Sequence, residues 1–197
     1  KIFAAKGRPN DHPLIVHVLD EAAALHFAQS LPAVAQRLMA AYWPGPLTVI
    51  VPRRAQAASA CAAGQSSIGL RCPAHPVARA LLAQAQALGV QGVAAPSANR
   101  FGHVSPTTAQ HVASEFDAEL LVLDGGPCEV GIESAIVDCS RGFPVLLRPG
   151  ALARSALELA AGEPLRDRDE QAPRASGTLA SHYAPRSRVR LMTTERL

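Results

Sequence analysis

Apolar residues fall in short runs bounded by Gly, Pro and small polar side chains, as in buried strands alternating with amphipathic helices. Leu14–Val18, Leu47–Val51, Ser66–Arg71, Val90–Ala95, Leu120–Asp124, Gly131–Asp138 and Val145–Arg148 read as strands. Asp20 caps a helix from about Glu21 to Gln29. Pro32–Tyr42 forms a second, with Val34, Leu38 and Ala41 on one face, and His75-Pro76 opens a third that runs to about Leu88. The pattern therefore predicts an α/β protein.

The densest polar punctuation follows Val90–Ala95. That run stops at Pro96, and Ser97-Ala98-Asn99 precede Ser105-Pro106, which read as the N-cap and first residue of a helix reaching Phe116. Open N–H groups at such a helix start suit an anion, although a plain strand-to-helix connection uses the same residues. Ile2–Ala5 begins without a preceding turn and reads as the end of an element, so residues upstream of Lys1 are expected. From Gly162 to Ser181 the apolar period is lost: Arg166-Asp167-Arg168-Asp169-Glu170 with Pro164, Pro173 and Gly177 reads as a linker. Arg188–Met192 then starts a new strand. The expected division is a domain over 1–161, a linker over 162–186 and the start of a second domain over 187–197.

At 197 residues, 48% hydrophobic and 18% charged, the chain can bury a core. It has no apolar run near the roughly 18 residues of a membrane span and no signal-peptide pattern, and it reads as cytosolic. Cys61, Cys72, Cys128 and Cys139 are too scattered for a metal site and read as buried or idle thiols. Net charge is +3, with Lys1 and Lys6 the only lysines among 19 basic residues. This mild positive balance permits a polyanionic ligand without requiring one. No Walker-type or GxGxxG fingerprint is present.

Against this background a few polar residues stand out. Lys6 and Arg8, two apart in the loop Lys6–Pro13, can bracket one anion, and Gly7 lets the backbone come close. A solvated basic loop is the plainer explanation. His17 lies inside an apolar run, as core histidines do. Arg71 and Arg148 each end a strand beside a proline turn, where an arginine can fork onto a carboxylate, lie on the surface or pair structurally.

Taken in order, Lys6-Gly7-Arg8-Pro9, Pro13–His17, Trp43-Pro44-Gly45-Pro46-Leu47-Thr48, Arg71-Cys72-Pro73, Pro96–Asn99, Ser105-Pro106-Thr107, Gly131–Ser134, Leu147–Gly150 and His182-Tyr183-Ala184-Pro185 resemble the YrdC-like threonylcarbamoyl-AMP synthases, in their longer two-domain type. The resemblance implies a twisted, mostly mixed sheet flanked by helices with a concave basic cavity, followed by a linker and the start of a second domain. It implies condensation of L-threonine, bicarbonate or CO2 and ATP, with Mg2+ accompanying the triphosphate. The product would pass to a tRNA threonylcarbamoyl transferase complex, with no direct tRNA contact required and no membrane involved. Lys6, Arg8, Ser97 and Asn99 match the family's catalytic signature. Arg8, His12, Ser67, Ser97, Ser105, Arg148 and Tyr183 match ATP positions, Tyr183 folding down from the linker. His17, Arg71, Ala95 and Ser134 match threonine positions, and no protein metal ligand is implied. The reading requires Lys6, Ser97 and Arg148 to face one cavity. By this resemblance the family's N-terminal start and most of its C-terminal domain are missing, and Ala135 stands where a threonine is common.

Two other classes compete. A basic concavity could hold tRNA or duplex RNA directly, but aromatics for stacking are few and lysine is almost absent. A carbamoyl-transfer domain of the hydrogenase-maturation type shares the Lys-x-Arg and Ser-x-Asn pairs, but the His182–Pro185 segment argues against it.

Overall fold

The computed structural model of the protein describes residues 1–116, 120–178, 190 and 192. They include two compact units, one of Lys1–Arg8 with Ser97–Pro127 and one of Pro9–Pro96 with Cys128–Thr178. No helix among the described residues is long and apolar enough to cross a membrane.

The second, larger unit is built on a mixed sheet. Its strands are β1 (Val16–His17), β2 (Leu47–Pro52), β3 (Ser67–Arg71), β4 (Val93–Ala94), β5 (Ala135–Asp138), β6 (Val145–Arg148) and β7 (Arg166–Asp167). They lie in the order β4-β1-β3-β2-β5-β6-β7. β2 runs antiparallel to β3 and parallel to β5, while β5 and β6 are antiparallel with an irregularity between Ile136 and Val137. The central strand β2 is buried from Leu47 to Val51, and all but Thr48 of that run is apolar, because both faces are covered.

One face carries Leu47, Val49, Val51, Leu70 and Val137 against helix residues Val34, Ala35, Leu38, Met39 and Leu157. Full burial of a side chain such as Leu38, which has no exposed area, contributes about 2 kcal/mol. The helices behind these contacts, Ala33–Tyr42 and Arg154–Ala161, are joined by a hydrogen bond of 2.9 Å from the Tyr42 hydroxyl to the Ala156 carbonyl. The opposite face carries Ile50, Ile136, Val145 and Leu147, packed with Ala172 and Ala175.

In this unit the sequence pattern and the structure part at three places. The Asp20 carboxylate does accept from the Ala23 amide at 2.8 Å, but the regular helix is only Glu21–Ala24. Arg154–Ala161 escapes the pattern because its N-cap, Ala153, offers no side-chain bond. Within the stretch whose composition reads as a linker, Arg166–Asp167 pairs with β6, and Ala175 is buried. Arg154 helps to hold that stretch, donating to the Asp167 carboxylate at 2.6 Å and to the Leu165 carbonyl.

The smaller unit opens with the helix Ile2–Lys6, closed by Gly7 at φ 63°, a left-handed conformation that glycine adopts without Cβ strain. The Phe101 amide donates to the Lys6 carbonyl at 2.8 Å and ties the two segments together. The expected helix start at Ser105-Pro106 is corrected. The helix is Ala109–Glu115 and its N-cap is Thr108, whose hydroxyl accepts from the His111 amide at 3.2 Å. Both Ser105 and Thr108 are good caps by type, and the helix begins at the one whose hydroxyl reaches the amide three residues on, Thr108. Leu120–Asp124 forms no strand; Leu121 is exposed, and the run has no ladder partner among the described residues.

Candidate active site

In the smaller unit the sequence-predicted pair signature does assemble. Lys6 closes the first helix with its side chain buried, and its Nζ donates to the Ser97 carbonyl at 2.6 Å and to the Asn99 carbonyl. The ammonium is thus committed to the backbone of the Ser97–Asn99 turn, a link between residues 91 apart or more. Burial, with the neighbouring Arg8 charge, lowers the Lys6 pKa to about 8 despite the opposing attraction of Glu115. Asn99, also buried, donates through Nδ2 to the Arg100 carbonyl at 2.7 Å and the His103 carbonyl at 2.9 Å. Its Oδ1 is enclosed without a partner among the described residues. Arg8 is buried, with its guanidinium 6.0 Å from the centre of the Phe101 ring. A lysine-held turn with an inward amide oxygen and an adjacent guanidinium is a rigid platform for a polar or anionic group.

The larger unit gathers the other candidates. In register, Val16 faces Leu70 and His17 faces Arg71 across β1 and β3, so those two polar side chains leave the sheet together. His17 is held neutral: burial, then the Arg71 charge, lowers its pKa to about 4, against weaker opposing bonds to backbone groups of Ile15 and Val93. Its Nδ1 is buried without a partner among the described residues. Arg71 donates through Nε to the Gly45 carbonyl at 3.2 Å, and its pKa is lowered by burial and by the charge of Arg148.

Arg148 ends β6, where the irregularity in the β5–β6 ladder sets it opposite Ile136. Its Nε and Nη2 donate to the Ser134 carbonyl at 3.0 and 2.9 Å, Nη2 also reaches the Ser134 hydroxyl at 3.2 Å, and Nη1 donates to the Ser176 carbonyl at 2.9 Å. The Ser134 hydroxyl stands 2.8 Å from that of Thr48. Gly150 permits this packing, because a Cβ there would meet the Glu133 carbonyl at 2.8 Å and the Ala135 nitrogen closer still.

Beside this cluster, on the face away from the Ala33–Tyr42 helix, lies a narrow, mostly apolar cleft whose walls include Ile15, Thr48, Ile50, Ser67, Ile136 and Ser176. Ser67 therefore lines this cleft. The Ala95 amide is spent on the Ile15 carbonyl at 3.2 Å, which leaves its own carbonyl as the group it could offer. His12 is 3.8 Å from the Asp11 carboxylate. Tyr183 lies outside the described residues. Among the described residues no three His, Cys, Asp or Glu side chains gather as a metal cluster.

The sequence pattern missed Thr48, Gly45 and Gly150 as individual residues. The available signal for Thr48 was a single hydroxyl inside an otherwise apolar five-residue run. The glycines were visible only as turn residues.

The Sua5, YciO and YrdC family model, described as telomere recombination, matches residues 1–150. The chain belongs to this family. A second family model, described as the C-terminal domain of threonylcarbamoyl-AMP synthase, matches residues 146–197. The two family matches together run from residue 1 to residue 197. They correct the expectation that one family domain is followed by only the bare start of a second: matches to both domains span the chain. The second-domain match begins at residue 146, so that domain is not merely begun near 187. Among relatives, the threonylcarbamoyl-AMP synthase of Bacillus subtilis (strain 168) is 41% identical over 192 residues, covering 94% of this chain and 54% of that protein. The enzyme of the same name from Pyrococcus abyssi is 36% identical over 195 residues, covering 96% and 56%. The solved structure of P. abyssi Sua5 complexed with L-threonine superposes with a TM-score of 0.85 at 37% identity, covering 93% of this chain and 55% of that one. The α/β fold with a mixed sheet is thus the family's, and the chain spans about half the length of the curated relatives it matches.

Proposed function

We propose that the protein is an L-threonylcarbamoyladenylate synthase, condensing L-threonine, bicarbonate and ATP into threonylcarbamoyl-AMP, pyrophosphate and water. The observation that supports this most is the pair of guanidinia at Arg71 and Arg148, close enough for one charge to lower the other's pKa. Arg71 has no carboxylate partner among the described residues, its recorded acceptor being the Gly45 carbonyl. Like charges gathered in a desolvated place are unfavourable alone, and an anionic substrate offsets that cost.

In this reading the threonine amine attacks the carbon of CO2 or bicarbonate, and a carbamate oxygen then attacks the α-phosphorus of ATP as pyrophosphate leaves. The work asked of the protein is positioning and electrostatic stabilisation. Arg71 takes the threonine carboxylate, with neutral His17, the Ala95 carbonyl and Ser134 around it. Arg8, His12, Ser67, Ser97, Ser105 and Arg148 handle the nucleotide, and Lys6 and Asn99 shape the turn on which Ser97 sits. Mg2+ is read as arriving with the triphosphate, held by phosphate oxygens and water. The L-threonine bound to P. abyssi Sua5 supports the amino-acid half of the assignment.

Pyrophosphate release measured with threonine or bicarbonate omitted tests the proposal. Release is expected only when ATP, threonine and bicarbonate are all present. Release indifferent to threonine would remove it, and salt-sensitive RNA binding without nucleotide turnover would favour the RNA-binding alternative.

A further inference from the structure

From the hydrogen-bond geometry behind the cleft we infer that Thr48 touches substrate: its hydroxyl donates to an anionic oxygen, carboxylate or phosphoryl, of a ligand in the cleft. The inference rests on the synthase reading above and adds a residue to it.

Thr48 sits in β2 between Leu47 and Val49, which point into the helix-covered core. The alternation of a strand turns Thr48 and Ile50 to the other face, and both line the cleft. Thr48 has no exposed area, and a hydroxyl buried in such a strand is costly unless bonded. Among the described residues its side-chain partner is the Ser134 hydroxyl at 2.8 Å.

The protons can be counted. A guanidinium has no lone pair to offer, so in the 3.2 Å contact between Arg148 Nη2 and the Ser134 hydroxyl the serine oxygen accepts. Two hydroxyls that share one bond use one of their two protons. The other has no acceptor among the described residues. A chain beginning at a cation polarises in one sense, from Arg148 to Ser134 to Thr48, because each accepted bond strengthens the next donated one. The unspent proton is then that of Thr48, the member of the pair that lines the cleft. The Thr48 methyl occupies the other side, with its Cγ2 3.6 Å from where a Cβ on Gly69 would stand. A donor at the end of a chain that starts on a guanidinium matches an oxygen bearing negative charge.

Calorimetric titration of L-threonine and of ATP into the protein and its Thr48→Ser, Thr48→Cys and Thr48→Val variants tests this. Thr48→Ser keeps the hydroxyl and is expected to bind within about twofold of the parent. Thr48→Val keeps the shape without the donor and is expected to lose roughly tenfold or more in affinity for one ligand. That ligand identifies the oxygen: threonine for a carboxylate, ATP for a phosphoryl group. Thr48→Cys, a weaker donor, should fall between them, and it decides the matter if the valine variant does not fold. Parent-like affinity for both ligands in the valine variant, or in the cysteine variant should valine not fold, overturns the inference. So does an equal loss in Thr48→Ser, which would assign the effect to the methyl group. A parent protein that binds neither ligand removes the synthase reading itself, and this inference with it.

Discussion

Replacement of Arg148 by methionine is expected to cost both stability and turnover. Arg148 is 9% exposed, and its guanidinium serves the Ser134 carbonyl and hydroxyl and the Ser176 carbonyl. Methionine fills much of the volume and offers none of the donors. Buried acceptors left unpaired cost about 1–3 kcal/mol each, and because they share one site the total should be about 3 kcal/mol rather than their sum. Pyrophosphate release should fall on the order of 10²-fold, the usual scale for losing a preorganised donor to developing charge. Arg148→Lys keeps the charge but not the planar fork, so it should recover little of either loss. Thermal unfolding and steady-state turnover of the two variants check this. A lysine variant equal to the parent would show that charge alone matters and that the fork on Ser134 does not.

The second large effect belongs to Lys6, and it carries a pH signature. Lys6→Met leaves the Ser97 and Asn99 carbonyls without their ammonium, so the turn loosens and turnover is expected to drop roughly 10- to 100-fold. In the folded protein the Lys6 pKa is lowered from 10.5 to about 8. Between these values the unfolded chain binds the proton that the folded protein has released, so Lys6 titration makes stability rise with pH across that window. Below about pH 8 the cost of keeping the buried charge is borne in full. Turnover should move the other way, falling as pH passes about 8, because the neutral amine holds the carbonyls less firmly. Lys6→Arg, which does not lose its charge, should lack that descending limb. A pH–rate profile for the parent and the arginine variant decides, and an identical limb in both would place its origin elsewhere.

These residues show what the sequence made legible. Leu47–Val51 reads as a strand from its short apolar run and Ser66–Arg71 from its alternation, the strands being Leu47–Pro52 and Ser67–Arg71, and Lys6 Nζ meets the Ser97–Asn99 turn. What Lys6 bonds to was not legible, since its acceptors are backbone carbonyls that every residue carries. Nor was the helix start at Thr108, because Ser105-Pro106 is an equally good cap by residue type and backbone geometry decides between them. Arg154–Ala161 ends at Gly162 in a left-handed turn, which is a readable stop signal, but its start has no polar cap to announce it. Arg166–Asp167 reads as solvated charge, and it becomes a strand only because β6 offers a parallel edge. Thr48 illustrates the general limit: a buried hydroxyl gains meaning from its cross-strand neighbour, here a serine 86 residues away.

The proposed reaction joins carbon from bicarbonate, the nitrogen of threonine and the α-phosphorus of ATP. Incubation with isotopically labelled bicarbonate, threonine and ATP, followed by isolation of the adenylates, tests it directly. Bicarbonate label is expected in an adenylate that also contains threonine, formed in step with pyrophosphate. Pyrophosphate released with an adenylate that carries no label would contradict it.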